Sequence, residues 1–151
     1  MRILLQRVKK ASVKVEEKVV GKIERGWLAM VCFNASDNET IVEKMCKKAF
    51  DLRCFSDHTH NMNVSLGEVG GAFLCVSQFT LYANARKGRR PSFTESAPAE
   101  KANHLYEHSK KVFSSFAPTE SGVFGAHMDI SLEADGPVSI LLDSDEVLSK
   151  L

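Results

Sequence analysis

The segment that most constrains this chain is Ala72-Phe73-Leu74-Cys75-Val76, five apolar residues in succession behind Gly70-Gly71. A half-solvated strand alternates apolar and polar residues, so an unbroken run predicts a central strand covered on both faces. Such a strand needs paired neighbours and packed layers. From Arg2 to Phe33 the chain is β-rich: Ile3-Leu4-Leu5, then Val13 and Val15 alternating with Lys14 and Glu16, then Val19-Val20, then Trp27 to Phe33. Turns are expected at Glu16-Glu17-Lys18 and Arg25-Gly26, giving an antiparallel meander that curls toward a barrel.

Two helices are expected. Ser36 stands three residues before Glu39, the spacing of a capping box, and Ile41, Val42, Met45, Cys46, Ala49 and Phe50 then share one helical face as far as about Arg53. After a polar, irregular stretch from Phe55 to Leu66, Pro98 opens the second helix. Its apolar positions are Ala102, Leu105, Tyr106, Val112, Phe113 and Phe116, and Pro118 ends it. Met128, Ile130 and Leu132 alternate with Asp129, Ser131 and Glu133, and Val138 to Leu142 is another apolar run, predicting two strands joined through Ala134-Asp135-Gly136-Pro137. Strands in runs, with helices that do not alternate with them, predict an α+β fold: a single domain over residues 1–151, with an antiparallel or mixed barrel-like sheet and two main helices.

The 151 residues are 44% hydrophobic, enough for one core and hardly for two. With 20 basic and 19 acidic residues the net charge is +1, so any contact with nucleic acid must come from a local patch. Only Ile3-Leu4-Leu5 is apolar near the start, too short for a signal peptide or a membrane span, and a cytoplasmic location is expected. Cys32, Cys46, Cys54 and Cys75 show no CxxC spacing and read as reduced, buried thiols.

The chemistry concentrates in two segments. Ser77-Gln78-Phe79-Thr80 lies where the buried strand gives way to a loop, so backbone N–H groups leaving the ladder there can face a developing oxyanion. Taken alone, the segment reads first as a strand end whose hydroxyls satisfy neighbouring backbone groups. Arg86, Lys87, Arg89 and Arg90 surround Gly88 and precede Pro91-Ser92-Phe93; this cluster suits a phosphate backbone, with Phe93 a stacking surface, or is simply a solvated basic loop. Gly136-Pro137 is favoured as a trans step by the statistics of X–Pro bonds. No metal site and no cofactor are expected. His104 and His108 lack an HExxH context, Cys54, His58 and His60 lack a fourth ligand, and no GxSxG, P-loop or GxGxxG is present.

Along essentially its whole length the chain resembles the D-aminoacyl-tRNA deacylase family. The likeness runs through Arg2-Ile3-Leu4-Leu5-Gln6-Arg7-Val8, Gly70-Gly71, Ser77 to Ala83, Arg86 to Phe93, Phe124-Gly125-Ala126 and Gly136-Pro137-Val138 with Leu141-Leu142-Asp143. Of the two defining motifs, Ser-Gln-Phe-Thr is intact at Ser77 to Thr80. Asn-x-Gly-Pro-Val-Thr is altered, with Ala134 for Asn and Ser139 for Thr. The resemblance implies a homodimeric hydrolase of D-aminoacyl-tRNA, with mischarged glycyl-tRNA a second substrate. It also implies a cis Gly136-Pro137 bond inserted into the partner's site, tethered by Arg7, whose carbonyls exclude L-side chains. Main-chain N–H groups around Phe79 and Thr80 then stabilise the oxyanion. Thr80 as a covalent nucleophile is the rival mechanism, and a non-catalytic RNA- or partner-binding module the rival function.

Overall fold

In the computed structural model, which describes residues 1–149, the spine is β1 (Arg2–Val15). A turn through Glu16 and Glu17, both at positive φ, leads into β2 (Lys18–Ile23), which returns antiparallel beside Ala11–Val15. β3 (Gly26–Cys32) continues that return and pairs with β1 from Val8 back to Arg2. The expected meander is thus corrected. Residues 2–15 form one strand instead of two, and β3 pairs with β1 instead of β2, because β1 is long enough to accept both in succession. β4 (Ala72–Ser77) and β5 (Thr119–Ser121) then add in parallel, making the sheet mixed.

The apolar run of β4 divides between two cores. Phe73 and Cys75 pack into the larger cluster beneath the helices, while Leu74 and Val76 face a smaller one with Val8, Ala11, Val13, Ile23 and Leu28. The double cover expected for this strand is present. In β1 the buried positions run Ile3, Leu5, then Val8, then Ala11 and Val13. An irregularity between Val8 and Lys10 shifts the pleat, so that the second half of the strand turns its apolar side into the smaller cluster. The sheet curls there until β2 meets β5. A Cβ on Gly21 would sit 2.8 Å from the Ser121 carbonyl oxygen, so the nearly closed barrel requires glycine at that position.

The larger core is roofed by α1 (Glu39–Asp51) and α2 (Ala99–Phe116). The cap of α1 differs from the expected box. Asn38, in extended conformation, accepts from the Ile41 N–H at 3.0 Å, whereas the Ser36 hydroxyl donates to Asn34 Oδ1. Asn is as good a cap as Ser and lies immediately before the first turn. Glu39 and Glu43 meet His104 and His108 in the same order along both helices, so α1 and α2 run in the same sense. A short third helix, α3 (Ser144–Val147), had no sequence signal.

The expected C-terminal hairpin does not form. Residues Asp129–Asp143 make a single strand, β6, antiparallel to β1 from Lys14↔Asp129 to Arg2↔Asp143. Between the pairs Gln6↔Ser139 and Val8↔Ala134 the lone β1 residue Arg7 stands opposite Asp135, Gly136, Pro137 and Val138. The turn-like residues therefore mark a wide bulge on an edge strand. Lys150 and Leu151, the last two residues of the expected domain, lie outside the described residues.

Candidate active site

Where β3 and β4 end side by side, the ladder carries one step further through Gln78 N–H to the Val31 carbonyl (2.8 Å). The chain then winds into a single 3₁₀ turn, Phe79–Tyr82. The first N–H groups of such a turn have no partner within it, and neither Phe79 N–H nor Thr80 N–H finds an acceptor among the described residues. The turn itself is tied down from several directions. Arg2 Nη1 donates to the Leu81 carbonyl (2.8 Å), Asn34 Nδ2 to the Tyr82 hydroxyl (3.2 Å), and Ser96 Oγ to the Phe79 carbonyl (2.9 Å). Arg2 also pairs with Asp143 at 2.8 Å and lies 4.5 Å over the Tyr82 ring. Two unpaired donors on a fixed turn are what stabilisation of an oxyanion needs.

The turn borders a cavity of about 360 Å³. Phe33, Phe79, Phe93 and Phe124 give it aromatic walls, and Cys32, Ser77, Gln78 and Ser96 are its few polar side chains. Phe79 is 57% exposed, edge-on to Phe93 at 5.1 Å, an unusual display for a large apolar ring. A second hollow of about 240 Å³ shares Ser77, Gln78, Phe79 and Gly125 and continues past His127 and Met128. Burial pushes the Cys32 thiol and the Tyr82 hydroxyl above their ordinary pKa, so both stay protonated. The Thr80 hydroxyl accepts from Gln78 Nε2, and among the described residues no carboxylate, imidazole or amine is bonded to it. A hydroxyl without a base is a poor nucleophile.

The other residues singled out in the sequence lie elsewhere. Arg7 is buried at 4% exposure; it donates to the carbonyls of Cys54 (2.7 Å), Asn61 (2.9 Å) and Asp135 (3.0 Å). It thereby anchors the bulge of β6, whose Gly136 and Pro137 are exposed and whose Gly136–Pro137 peptide is cis. Gly136 has φ +130°, and a Cβ there would stand 2.9 Å from Val138 Cγ2, so no side chain fits. Ser139 bonds Gln6, and Ala134 pairs with Val8. Arg7 lies opposite Trp27 and Arg2 opposite Cys32. Five strand residues therefore separate the bulge from the Cys32 end, about 17 Å at the usual rise of roughly 3.3 Å per residue. One chain does not bring Gly136-Pro137 to its own Phe79-Thr80 turn.

Arg86, Lys87, Arg89 and Arg90 are all exposed on a loop closed by reciprocal Asn84–Ser92 backbone bonds (2.7 and 2.8 Å). Arg86, Lys87 and Arg90 line a hollow of about 280 Å³. The side chains weighed as metal ligands have other occupations. His104 and His108 meet Glu39 and Glu43, burial pushes the Cys54 thiol up and away from the thiolate a metal needs, and His60 bonds Thr59 in a loop organised on Asp57. No helix of the described residues is long and apolar enough to cross a membrane.

Residues 4–143 match the family model described as D-Tyr-tRNA(Tyr) deacylase. The chain belongs to the D-Tyr-tRNA(Tyr) deacylase family. It is 51% identical over 151 residues to a D-aminoacyl-tRNA deacylase of Listeria monocytogenes, covering 99% of this chain and 100% of that one. Against a D-aminoacyl-tRNA deacylase of Kosmotoga olearia it is 50% identical over 144 residues, 95% and 97% of the two chains. Among solved structures, one described as c-Myc DNA Unwinding Element Binding Protein superposes with a TM-score of 0.87 at 33% identity, over 95% of this chain and 98% of that one. A probable eukaryotic D-amino acid tRNA deacylase shares the fold, with a TM-score of 0.80 at 18% identity over 93% and 97% of the chains.

Within this deacylase frame, sequence reading missed most of the cavity. Val31, Cys32, Phe33, Ser96, Ala97 and Ala102 reach it from β3, the loop before α2, and α2 itself. Nothing local marks them. Beyond Ser77, Gln78, Phe79 and Phe93, already singled out, Phe124 and Gly125 had a signal as part of a fragment shared with the family.

Proposed function

We propose that this chain hydrolyses the ester bond of D-aminoacyl-tRNA in the cytoplasm, releasing free D-amino acid and tRNA. The observation that carries the reading is the pair of unpartnered Phe79 and Thr80 N–H groups beside an aromatic cavity, in a member of this family. The cavity suits the terminal adenosine, whose base stacks on phenylalanine rings. The ester carbonyl then lies against the turn. Water attacks it, the negative charge gathers on the carbonyl oxygen under the two N–H groups, and the ribose oxygen departs with the proton. The neighbouring 2′-hydroxyl positions the water, a task for which Thr80, bonded only to Gln78, has no base.

Chirality is set by exclusion. A second copy of the chain inserts its Gly136-Pro137 bulge at the turn, held by its own Arg7, and the bulge carbonyls occupy the space of an L-side chain. The roughly 17 Å separation within one chain supports a homodimer for this step. Glycine has no side chain to exclude, so glycyl-tRNA is cleaved as well.

The test is hydrolysis of D-tyrosyl-tRNA beside L-tyrosyl-tRNA at matched concentration. Rapid loss of the D-ester alone is expected, with Thr80→Ala retaining most of the rate. Equal rates refute a chiral editor, and cleavage of neither favours a binding module. Complete loss in a folded Thr80→Ala dimer sinks the backbone-donor mechanism. A monomer that still discriminates removes the cross-subunit step.

The basic loop carries a separate expectation. Arg86→Gln and Arg90→Gln should each weaken tRNA binding and lower the slope of log affinity against log salt by about 1, since each removes one phosphate contact. Filter-binding titrations between low and moderate salt measure that slope; an unchanged value would assign the loop no phosphate.

A further inference from the structure

The Phe79 carbonyl accepts two side-chain hydrogen bonds from different parts of the chain. Ser96 Oγ, on the loop before α2, donates at 2.9 Å, and Cys32 Sγ, at the end of β3, donates at 3.2 Å. Both side chains also line the aromatic cavity. Cys32 is 2% exposed, and burial keeps its thiol protonated and therefore a donor.

The bonded carbonyl belongs to the same peptide unit as the Thr80 N–H. That unit is planar and trans, so its C=O and N–H point in opposite directions. Whatever holds the carbonyl inward thus turns the N–H outward. Hydrogen bonds accepted by the carbonyl also polarise the amide and strengthen its N–H as a donor. The turn's own bond from the Tyr82 N–H also reaches this carbonyl, and without the side-chain bonds it alone would oppose a rotation of the peptide that swings the carbonyl out and replaces a donor with a negative dipole.

We propose that Cys32 and Ser96 are positioning residues for ester hydrolysis: together they clamp the Phe79 carbonyl and so present the Thr80 N–H to the developing oxyanion. The proposal rests on the deacylase reading above. It separates these two residues from the apolar walls of the cavity, such as Phe33 and Phe93, which would touch only the adenosine.

The experiment measures kcat and KM for D-tyrosyl-tRNA with Cys32→Ala, Ser96→Ala, the double variant, and the donor-preserving Cys32→Ser and Ser96→Thr. Amide exchange at Thr80 is followed by NMR in the same proteins. A misoriented oxyanion donor lowers kcat and leaves KM in place, so each alanine variant is expected to lose about tenfold in kcat and the double variant about a hundredfold. Cys32→Ser and Ser96→Thr should stay within about twofold of wild type, and the Thr80 amide resonance should shift only in the alanine variants. A folded double variant with wild-type kcat overturns the proposal. So does a loss confined to KM, which would mark simple cavity walls, or a Cys32→Ser protein whose kcat is as low as that of Cys32→Ala. Wild-type protein inert toward D-tyrosyl-tRNA overturns the deacylase reading itself, and this proposal with it.

Discussion

Replacing Arg7 with methionine is expected to lower the free energy of unfolding by about 3 kcal/mol, a large part of the roughly 5–15 kcal/mol typical of a domain. Methionine keeps much of the volume and removes every donor. The guanidinium now serves three carbonyls from three segments, Cys54, Asn61 and Asp135, and its removal leaves the Cys54 oxygen in a buried place with no partner. Asn61 and Asp135 are nearer to water and recover part of their loss. Urea unfolding monitored at Trp27, which lies opposite Arg7 in the ladder, reads the change. A loss under about 1 kcal/mol would mean that water replaces the arginine. Because Arg7 also anchors the β6 bulge, the variant protein should lose discrimination between D- and L-esters before it loses turnover.

Asp37→Ala should be of similar size. The amino nitrogen of Met1 lies 2.7 Å from the Asp37 carboxylate and donates to Ser144 Oγ at 2.7 Å, with Met1 at 0% and Asp37 at 1% exposure. Removing one partner of a buried pair leaves the other charge uncompensated, at a cost of about 3–5 kcal/mol. Asp37 further accepts the Asn34 N–H at 2.7 Å, and Asn34 holds the Tyr82 hydroxyl, so the same change should loosen the Phe79–Tyr82 turn. The measurements are the midpoint of urea unfolding and kcat for D-tyrosyl-tRNA; Asp37→Asn should fall between the two proteins. A wild-type midpoint for Asp37→Ala would show that the ammonium reaches water when its partner is gone.

Both predictions concern groups whose partners are far apart in sequence, and this is where sequence reading stopped. Arg7 was singled out through family likeness alone, and the three carbonyls it holds carry no side-chain signature. Asp37 had no signal, because an aspartate next to Asn38 reads as ordinary loop chemistry. The turn at Phe79-Thr80 was legible, since a buried strand must end somewhere and its last N–H groups must leave the ladder. What meets the Phe79 carbonyl was not: the parallel pairing of β3 with β4 sets Cys32 beside that turn, and the bridge between Asn34 and Ser96 brings the loop before α2 to the same place.

The two misread strands have one cause. Local pattern shows where a chain is extended and where it is interrupted, but an interruption is equally a hairpin or a bulge. Ala134-Asp135-Gly136-Pro137 has turn chemistry and lies within a single strand, because β1 offers an uninterrupted partner from Lys14 to Arg2. The irregularity between Val8 and Lys10 likewise reverses which face of β1 is buried without breaking the strand.

By itself the sequence determined the elements whose signals are periodic or covalent in origin: the doubly covered β4, the two amphipathic helices, the mixed α+β class, and the motifs that carry the family. Tertiary structure alone decided the order of strands on β1, the aromatic cavity, the side-chain bonds to the Phe79 carbonyl and the distance between that turn and Gly136. Period and composition act over a few residues, where backbone geometry repeats. A site assembled from β3, β4 and the edge of α2 depends on register between distant segments, which the burial of two separate apolar clusters fixes and no local pattern encodes.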